Sequence, residues 1–253
     1  IGVSEWDCTL EPCHESAGGF AVRMGLRYVK GLGEREWQNI SQARHVAPFV
    51  SLEDFVGRTT LDEGDLSRLA EAGAFESLGA DRRSALWNIG RLVRTRNDSL
   101  SLPAREVTPA FQSLTAFEEV GWDYRTTSHS PRRHPLEPLR PALIRQGLPD
   151  ARTVASMKNG ESIRYAGLVI CRQRPGTASG VVFMTLEDET GFVNAVVWES
   201  VFNQYSVLAK SINFLGITGK LQVEDGVVHL VAEKFWEPKA ELRPAGAGSR
   251  DFH

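Results

Sequence analysis

The chain has 253 residues, 42% of them apolar and 24% charged, which is the profile of a globular protein with one large or two ordinary domains. A net charge of −3 excludes a uniformly basic nucleic-acid binder, no apolar run approaches the ~20 residues of a membrane helix, and no basic-then-apolar leader points to secretion. With 3 cysteines there is no disulfide framework, which fits a reducing cytoplasm.

The chain opens on IGVSEWDCTLEP without an initiator Met and reads as the middle of a longer protein. Residues 1–20 read as an irregular lead-in ending at Gly18-Gly19. Cys8, Cys13 and His14 cluster there, but no second pair of ligands follows, so no zinc site is expected. Met24, Tyr28 and Val29 form a short helical stripe that Gly31 and Gly33 interrupt. Helical character resumes at Glu34, with Trp37, Ile40 and Ala43 in register. This is a helix–hairpin–helix pattern. A second such unit follows, with Leu66, Leu69 and Ala70 on one helix. Asp81 caps the next, which has Ala85, Leu86, Ile89 and Val93 inward.

Residues 97–107 read as a linker, and a helix is predicted over 114–124. Arg125, Arg132, Arg133, Arg140, Arg145 and Arg152 crowd the next segment against only Asp123, Glu137 and Asp150. A solvated surface explains them more simply than a phosphate footprint does. His129 and His134 read as surface or packing residues. From residue 161 the pattern becomes strands: SIRYAGLVICRQ, then GVVFMTLEDET and GFVNAVVWE as one hairpin. The segment VFNQYSVLAKS reads as a short helix, and a last hairpin turns at Glu224-Asp225-Gly226. Strands in that order, with a helical insert between third and fourth, make a five-stranded OB-fold β-barrel. The expected fold class is therefore α+β in two parts. Residues 1–96 are an all-α tandem helix–hairpin–helix region with its lead-in, 97–160 a linker and mixed helical segment, 161–237 the barrel, and 238–253 a flexible tail.

Two places carry candidate chemistry. In VKGLGER the turn at Gly31 and Gly33 aims backbone N–H groups outward beside a helix N-terminus, with Arg27 and Lys30 nearby. That suits one backbone phosphate, which positions DNA without reading its sequence. An ordinary αα-hairpin explains the glycines equally well, and Glu34 and Glu36 add negative charge at the same turn. In the central hairpin, strand parity places Met184, Leu186, Val193 and Val197 inward and Phe183, Asn194 and Trp198 outward. An outward Phe and Trp with an amide between them suits base stacking plus one hydrogen bond. Arg172 and Arg174 end the preceding strand and are candidates for phosphate contacts. Against this stand Glu187, Asp188, Glu189, Glu199, Glu224 and Asp225, and both aromatics have an alternative reading as residues covered by another part of the chain.

VRMGLRYVKGLGE, FVSLEDFVGRTTL, LSRLAEAGAFESLGADRRSALW and the barrel stretch AGLVICRQRPGTASGVVFMTLEDETGFVNAVVW together resemble the C-terminal region of bacterial C-family DNA polymerases, the DNA polymerase III α subunits. RQRPGTASGVVFMTLEDETG and the short run from the barrel to SRDFH are most similar to the error-prone branch. Phe183, Leu186, Asp188 and Gly191 also match a pattern of the anticodon-binding barrels of class II aminoacyl-tRNA synthetases, in which the Phe stacks on a base. That resemblance singles out Phe183 and Asn194.

It implies a DNA-binding portion of a polymerase used in damage-induced translesion synthesis. The hairpin half would hold duplex, and the barrel would hold single-stranded template. It further implies a cytoplasmic, nucleoid-associated protein, with accessory translesion proteins and the sliding clamp as partners. Residues 112–117 (QSLTAF) lie where replicative relatives carry a clamp-binding peptide but lack its Leu-Phe ending. No cofactor is expected in this chain. Mg²⁺ and dNTPs belong to the parent's palm, whose Asp-x-Asp cluster is missing here and would precede Ile1, so no polymerase activity is expected of this piece. The alternatives are a replicative α subunit cut short, a protein-interaction platform built on the OB face, or a remnant of a broken gene.

Overall fold

The computed structural model describes residues 1–14, 16, 18–97, 109–176, 180–224, 226–240, 244 and 250–252. The chain divides into two compact units, Ile1–Ser113 with Arg125–Ser128, and Leu114–Tyr124 with His129–His253. Among the described residues no helix is long and apolar enough to cross a membrane.

In the first unit the lead-in is ordered rather than irregular. Strand β1 (Thr9–Pro12) pairs antiparallel with β2 (Phe20–Arg23), with Leu10 opposite Val22 and Pro12 opposite Phe20. Leu10, Phe20 and Val22 are all exposed, so the pair lacks the half-buried alternation by which strands are recognised. On its other face Arg23 Nη2 donates to Glu11 Oε2 at 2.6 Å. The predicted first helix is also shorter than expected, a single 3₁₀ turn over Leu26–Tyr28.

After the Gly-Leu-Gly turn come α1 (Glu34–Val46), α2 (Leu52–Arg58), α3 (Glu63–Glu71) and, past a 3₁₀ turn at Glu76–Leu78, α4 (Arg82–Asn97). Side-chain caps set their starts. Ser51 accepts from the Asp54 N–H, Asp62 from that of Asp65, and Asp81 from those of Arg83 and Ser84. Two arginines close helix ends: Arg58 donates to the carbonyls of Ala43, Ala47 and Pro48, and Arg96 to those of Thr59 and Leu61. Ile40, Phe55, Leu66, Leu69, Phe75 and Ile89 form the core between the helices. Residues 98–108, most of the expected linker, lie outside the described residues.

The second unit is built around the barrel. Helix α5 (Ala116–Thr127) begins in it. A 3₁₀ turn at Glu137–Leu139 leads to α6 (Arg140–Arg145) and α7 (Ala151–Ala155), the latter capped by Asp150 through the Thr153 N–H at 2.7 Å. These pieces of the mixed helical segment pack on the barrel. Leu136, Leu139, Leu143 and Leu148 pack on Ala166 and Leu168, and Ala151 and Val154 enter the barrel core. Their apolar residues are spaced too irregularly between prolines to show this in the sequence.

The barrel consists of β3 (Ser162–Gln173), β4 (Val182–Asp188) and β5 (Gly191–Val197), then α8 (Glu199–Gln204) and α9 (Ser206–Ser211), then β6 (Phe214–Glu224) and β7 (Val227–Trp236). The strands pair in the order β4-β5-β7-β6-β3, and β3 pairs with β4 to close the ring. The β5–β7 pairing is parallel and the other pairings in the ring are antiparallel. This is the five-stranded OB-fold arrangement. Asp225 of the expected Asp-Gly turn lies outside the described residues, as do 241–243 and 245–249 of the tail. The tail does regain structure: β8 (Arg250–Phe252) runs parallel to Cys171–Gln173.

At the β4–β5 turn Asp188 is buried and collects donors from several elements. They are the Ala151 N–H at 2.8 Å, the Tyr165 hydroxyl at 3.1 Å, Arg140 Nη2 at 3.1 Å, and the Thr190 N–H and hydroxyl at 2.8 and 2.7 Å. Burial, with Asp188 as the second cause, holds the Tyr165 phenol far above its ordinary range, so it stays a neutral donor. Asp188→Ala should leave the Tyr165 hydroxyl and the Ala151 N–H buried without their acceptor and Arg140 with Glu189 alone. It is expected to destabilise the barrel by about 3–5 kcal/mol in urea unfolding; a loss below ~1 kcal/mol would contradict this role.

Candidate nucleic-acid interface

The β4–β5 pair carries the first candidate site. Val182, Met184, Leu186, Val193, Ala195 and Val197 are all buried. Phe183 on the opposite parity is 40% exposed, Trp198 is 55% exposed, and Asn194 is exposed. Trp198 stands at the N-cap of α8 in extended backbone, and the helices that follow leave its ring uncovered. Register places Phe183 opposite Val196, with Gln173 of β3 on its other side. Thr185 lies opposite Asn194 and donates from its hydroxyl to Asn194 Oδ1 at 3.1 Å. That bond holds the amide and leaves its nitrogen as an outward donor. His229 of β7 flanks Asn194 on the far side.

A further aromatic belongs to this face. Phe192, opposite Glu187, is 61% exposed and shares the parity of Asn194 and Trp198. The same alternation would have found it, since it stands two residues before Asn194. Burial, with Asp188 as the lesser cause, raises the Glu187 carboxyl above its ordinary range. The face thus has Phe192 at one end, Phe183 and Trp198 at the other, and polar Thr185 and Asn194 between them.

The neighbouring arginines separate. Arg172 is only 7% exposed and turned inward, correcting the expectation of a phosphate contact there. Its Nε donates to the Ala209 carbonyl and its Nη2 to the Ile212 carbonyl, both at 2.7 Å, so it fastens the end of α9 to β3. Arg174 stays at the surface, bonded to Glu199 at 2.8 Å and 6.0 Å from the centre of the Phe202 ring.

The second candidate is the turn before α1. Gly31 has φ +80°, and a Cβ there would lie 2.8 Å from Arg68 Nε. The turn therefore needs glycine for both conformation and space. Arg68 arrives from α3, a cation beside the turn that its distance in sequence conceals. The Gly33 N–H donates to Glu36 at 3.0 Å and the Leu32 N–H to the Val29 carbonyl at 3.1 Å. Lys30 donates from its backbone to the Thr126 carbonyl at 2.8 Å and from its ammonium to the Arg125 carbonyl at 2.9 Å. It thereby caps a helix C-terminus. Arg27 pairs with Asp7 at the surface. Most of the expected anion-binding donors at this turn are thus already engaged within the chain. Among the described residues no group of three or more His, Cys, Asp or Glu side chains could hold a metal ion.

Comparison with known proteins agrees with this division. The family model for the Helix-hairpin-helix motif matches residues 1–85, and that for the OB-fold nucleic acid binding domain matches residues 163–238. The chain is thus built from two modules that support DNA binding. It is 36% identical over its whole length to an error-prone DNA polymerase of Methylococcus capsulatus, and 39% identical over 99% of its length to one of Burkholderia pseudomallei. Its length thus matches the C-terminal portion of proteins named error-prone DNA polymerase. It spans about a quarter of these relatives, 26% and 24% of their lengths. Among solved structures, asparaginyl-tRNA synthetase from Pyrococcus horikoshii is similar over 40% of this chain and 24% of that one, at 23% identity and a TM-score of 0.31.

The placement of Arg172 yields a direct test. Arg172→Ala should lower stability by about 1.5–3 kcal/mol, because two buried carbonyls lose a charged donor. It should leave the salt dependence of DNA binding unchanged. A flatter salt slope at unchanged stability would return Arg172 to the phosphate contacts.

Proposed function

We propose that this chain is the DNA-holding portion of an error-prone DNA polymerase, with the barrel taking single-stranded template on its β4–β5 face. The observation that carries the reading is that face itself. Phe183, Phe192 and Trp198 are exposed on one side of a pair whose other side is wholly buried, with Asn194 held between them. Exposed aromatics of this kind suit stacking by bases of any sequence, and an outward amide adds one hydrogen bond. The tandem hairpin unit is assigned to duplex DNA, through the Gly31 turn and the start of α1, with Arg68, itself paired with Asp65, beside the turn.

Error-prone synthesis across damaged template, the accessory translesion proteins and the sliding clamp are extended to this chain from the family that it resembles. So is its place in the cytoplasm beside the nucleoid. Nucleotidyl transfer with Mg²⁺ and dNTPs is assigned to the remaining three quarters of the relatives' length, because no Asp-x-Asp cluster occurs here.

Fluorescence anisotropy with a single-stranded oligonucleotide, at several salt concentrations, tests the stacking face. Phe183→Ala should cost ~1–3 kcal/mol of affinity and leave the slope against salt unchanged. Wild-type affinity in a folded Phe183→Ala chain would sink the stacking role.

A further inference from the structure

The barrel carries a second, cationic face that the aromatic site does not use. Arg164 on β3 lies opposite Thr218 on β6, which lies opposite Lys234 on β7, so the three form a row across adjacent strands. Ser162 and Lys220 pair two residues further along, placing Lys220 on the same outer face. Trp236 lies in this face. Its indole N–H donates to the Thr218 hydroxyl at 3.1 Å, and the Arg164 guanidinium sits 4.5 Å from the ring centre. Gly216, opposite Trp236, makes room: a Cβ there would fall 2.4 Å from the indole. The ring is thus held by the backbone at Gly216, the hydrogen bond to Thr218 and the stacked guanidinium.

The consequence falls on Arg164. Arg164 is exposed, and its contact with the indole restrains the guanidinium while leaving N–H groups accessible to solvent. Among the described residues no hydrogen bond or ion pair engages them, nor the ammonium of Lys234. Three other arginines of the barrel unit are engaged. Arg140 is tied to Asp188 and Glu189, Arg172 to carbonyls, and Arg174 to Glu199. Arg164 and Lys234 also line a groove of about 590 Å³, together with Lys239 and Gln146 and against a single acid, Glu237.

The geometry points to a second nucleic-acid subsite here, in which Arg164 grips one backbone phosphate through two N–H donors and Lys234 neutralises another. Phosphate is favoured over a base because the indole is half-buried, with Arg164 over its ring and the backbone of Gly216 against it, and so offers little stacking surface. A planar, pre-oriented guanidinium matches phosphate oxygens bidentately. This inference rests on the reading of the chain as a DNA-holding piece and extends it. A strand seated on Phe183 and Asn194 would be tracked onto β3, β6 and β7 by its phosphates alone.

The test uses the full chain and an oligonucleotide longer than the ~4–16 nucleotides that one OB fold covers. Arg164→Gln, Lys234→Gln and the double variant are titrated beside Phe183→Ala. Each lost phosphate contact should flatten the slope of log K against log salt by about 0.7, and the double variant by about 1.4. Affinity of the double variant at low salt should fall about tenfold or more. Lys234→Gln removes no packing, so its slope change stands even if Arg164→Gln loosens Trp236. Unchanged slopes in all three, with Phe183→Ala still weakened, would overturn the second subsite and leave the aromatic face standing. Flattened slopes with Phe183→Ala unaffected would support this subsite and overturn the stacking role. Failure of the wild-type chain to bind single strands would overturn both.

Discussion

The barrel depends on the buried carboxylate of Asp188. It stands where β4 turns into β5 and draws donors from α7, from β3, from Arg140 and from its own turn. A carboxylate out of water is costly unless its lone pairs are satisfied, and here three donors come from separate elements and two from Thr190 in its own turn. A shifted turn would part it from the donors of α7, β3 and Arg140. The hairpin is therefore pinned, and with it the parity that sends Met184 and Val193 inward and Phe183 and Asn194 outward. The exposed face follows from that pinning.

The sequence disclosed what has a period. Alternation along 182–197 placed both faces of the hairpin, and the strand order with its helical insert defined the barrel. It hid what depends on distant contacts. Arg172 looks like a surface cation until α9 folds over it and offers two carbonyls. Lys30 looks like a phosphate ligand until the carbonyls of Arg125 and Thr126 reach it. Asp188 passed for one acid among several in a polar turn, yet its side chain is fully buried. The leucines at 136, 139, 143 and 148 bury themselves on the barrel from an irregular, proline-broken stretch that has no helical or strand period to display. Phe192 is a different case, because the alternation that exposed Asn194 exposes it as well.

Arginine shows why the overall charge says little about binding here. In the first unit Arg58 and Arg96 satisfy helix-end carbonyls. In the second, Arg140 and Arg172 are interior connectors. Charge counted along the chain treats these equally with Arg164, which is exposed over the Trp236 ring. What distinguishes a cation available to a partner is the list of acceptors around it, and that list is written by the fold.

The β1–β2 pair near the start of the chain has a different character from either core. Its apolar residues Leu10, Val22 and Phe20 face solvent, and among the described residues its two strands have no third neighbour. A lone two-stranded ribbon gains little from burial and is marginal in water. Its amides are therefore among the least protected in the chain. They would exchange with solvent deuterium through local fraying, long before the helices behind them or the closed barrel open.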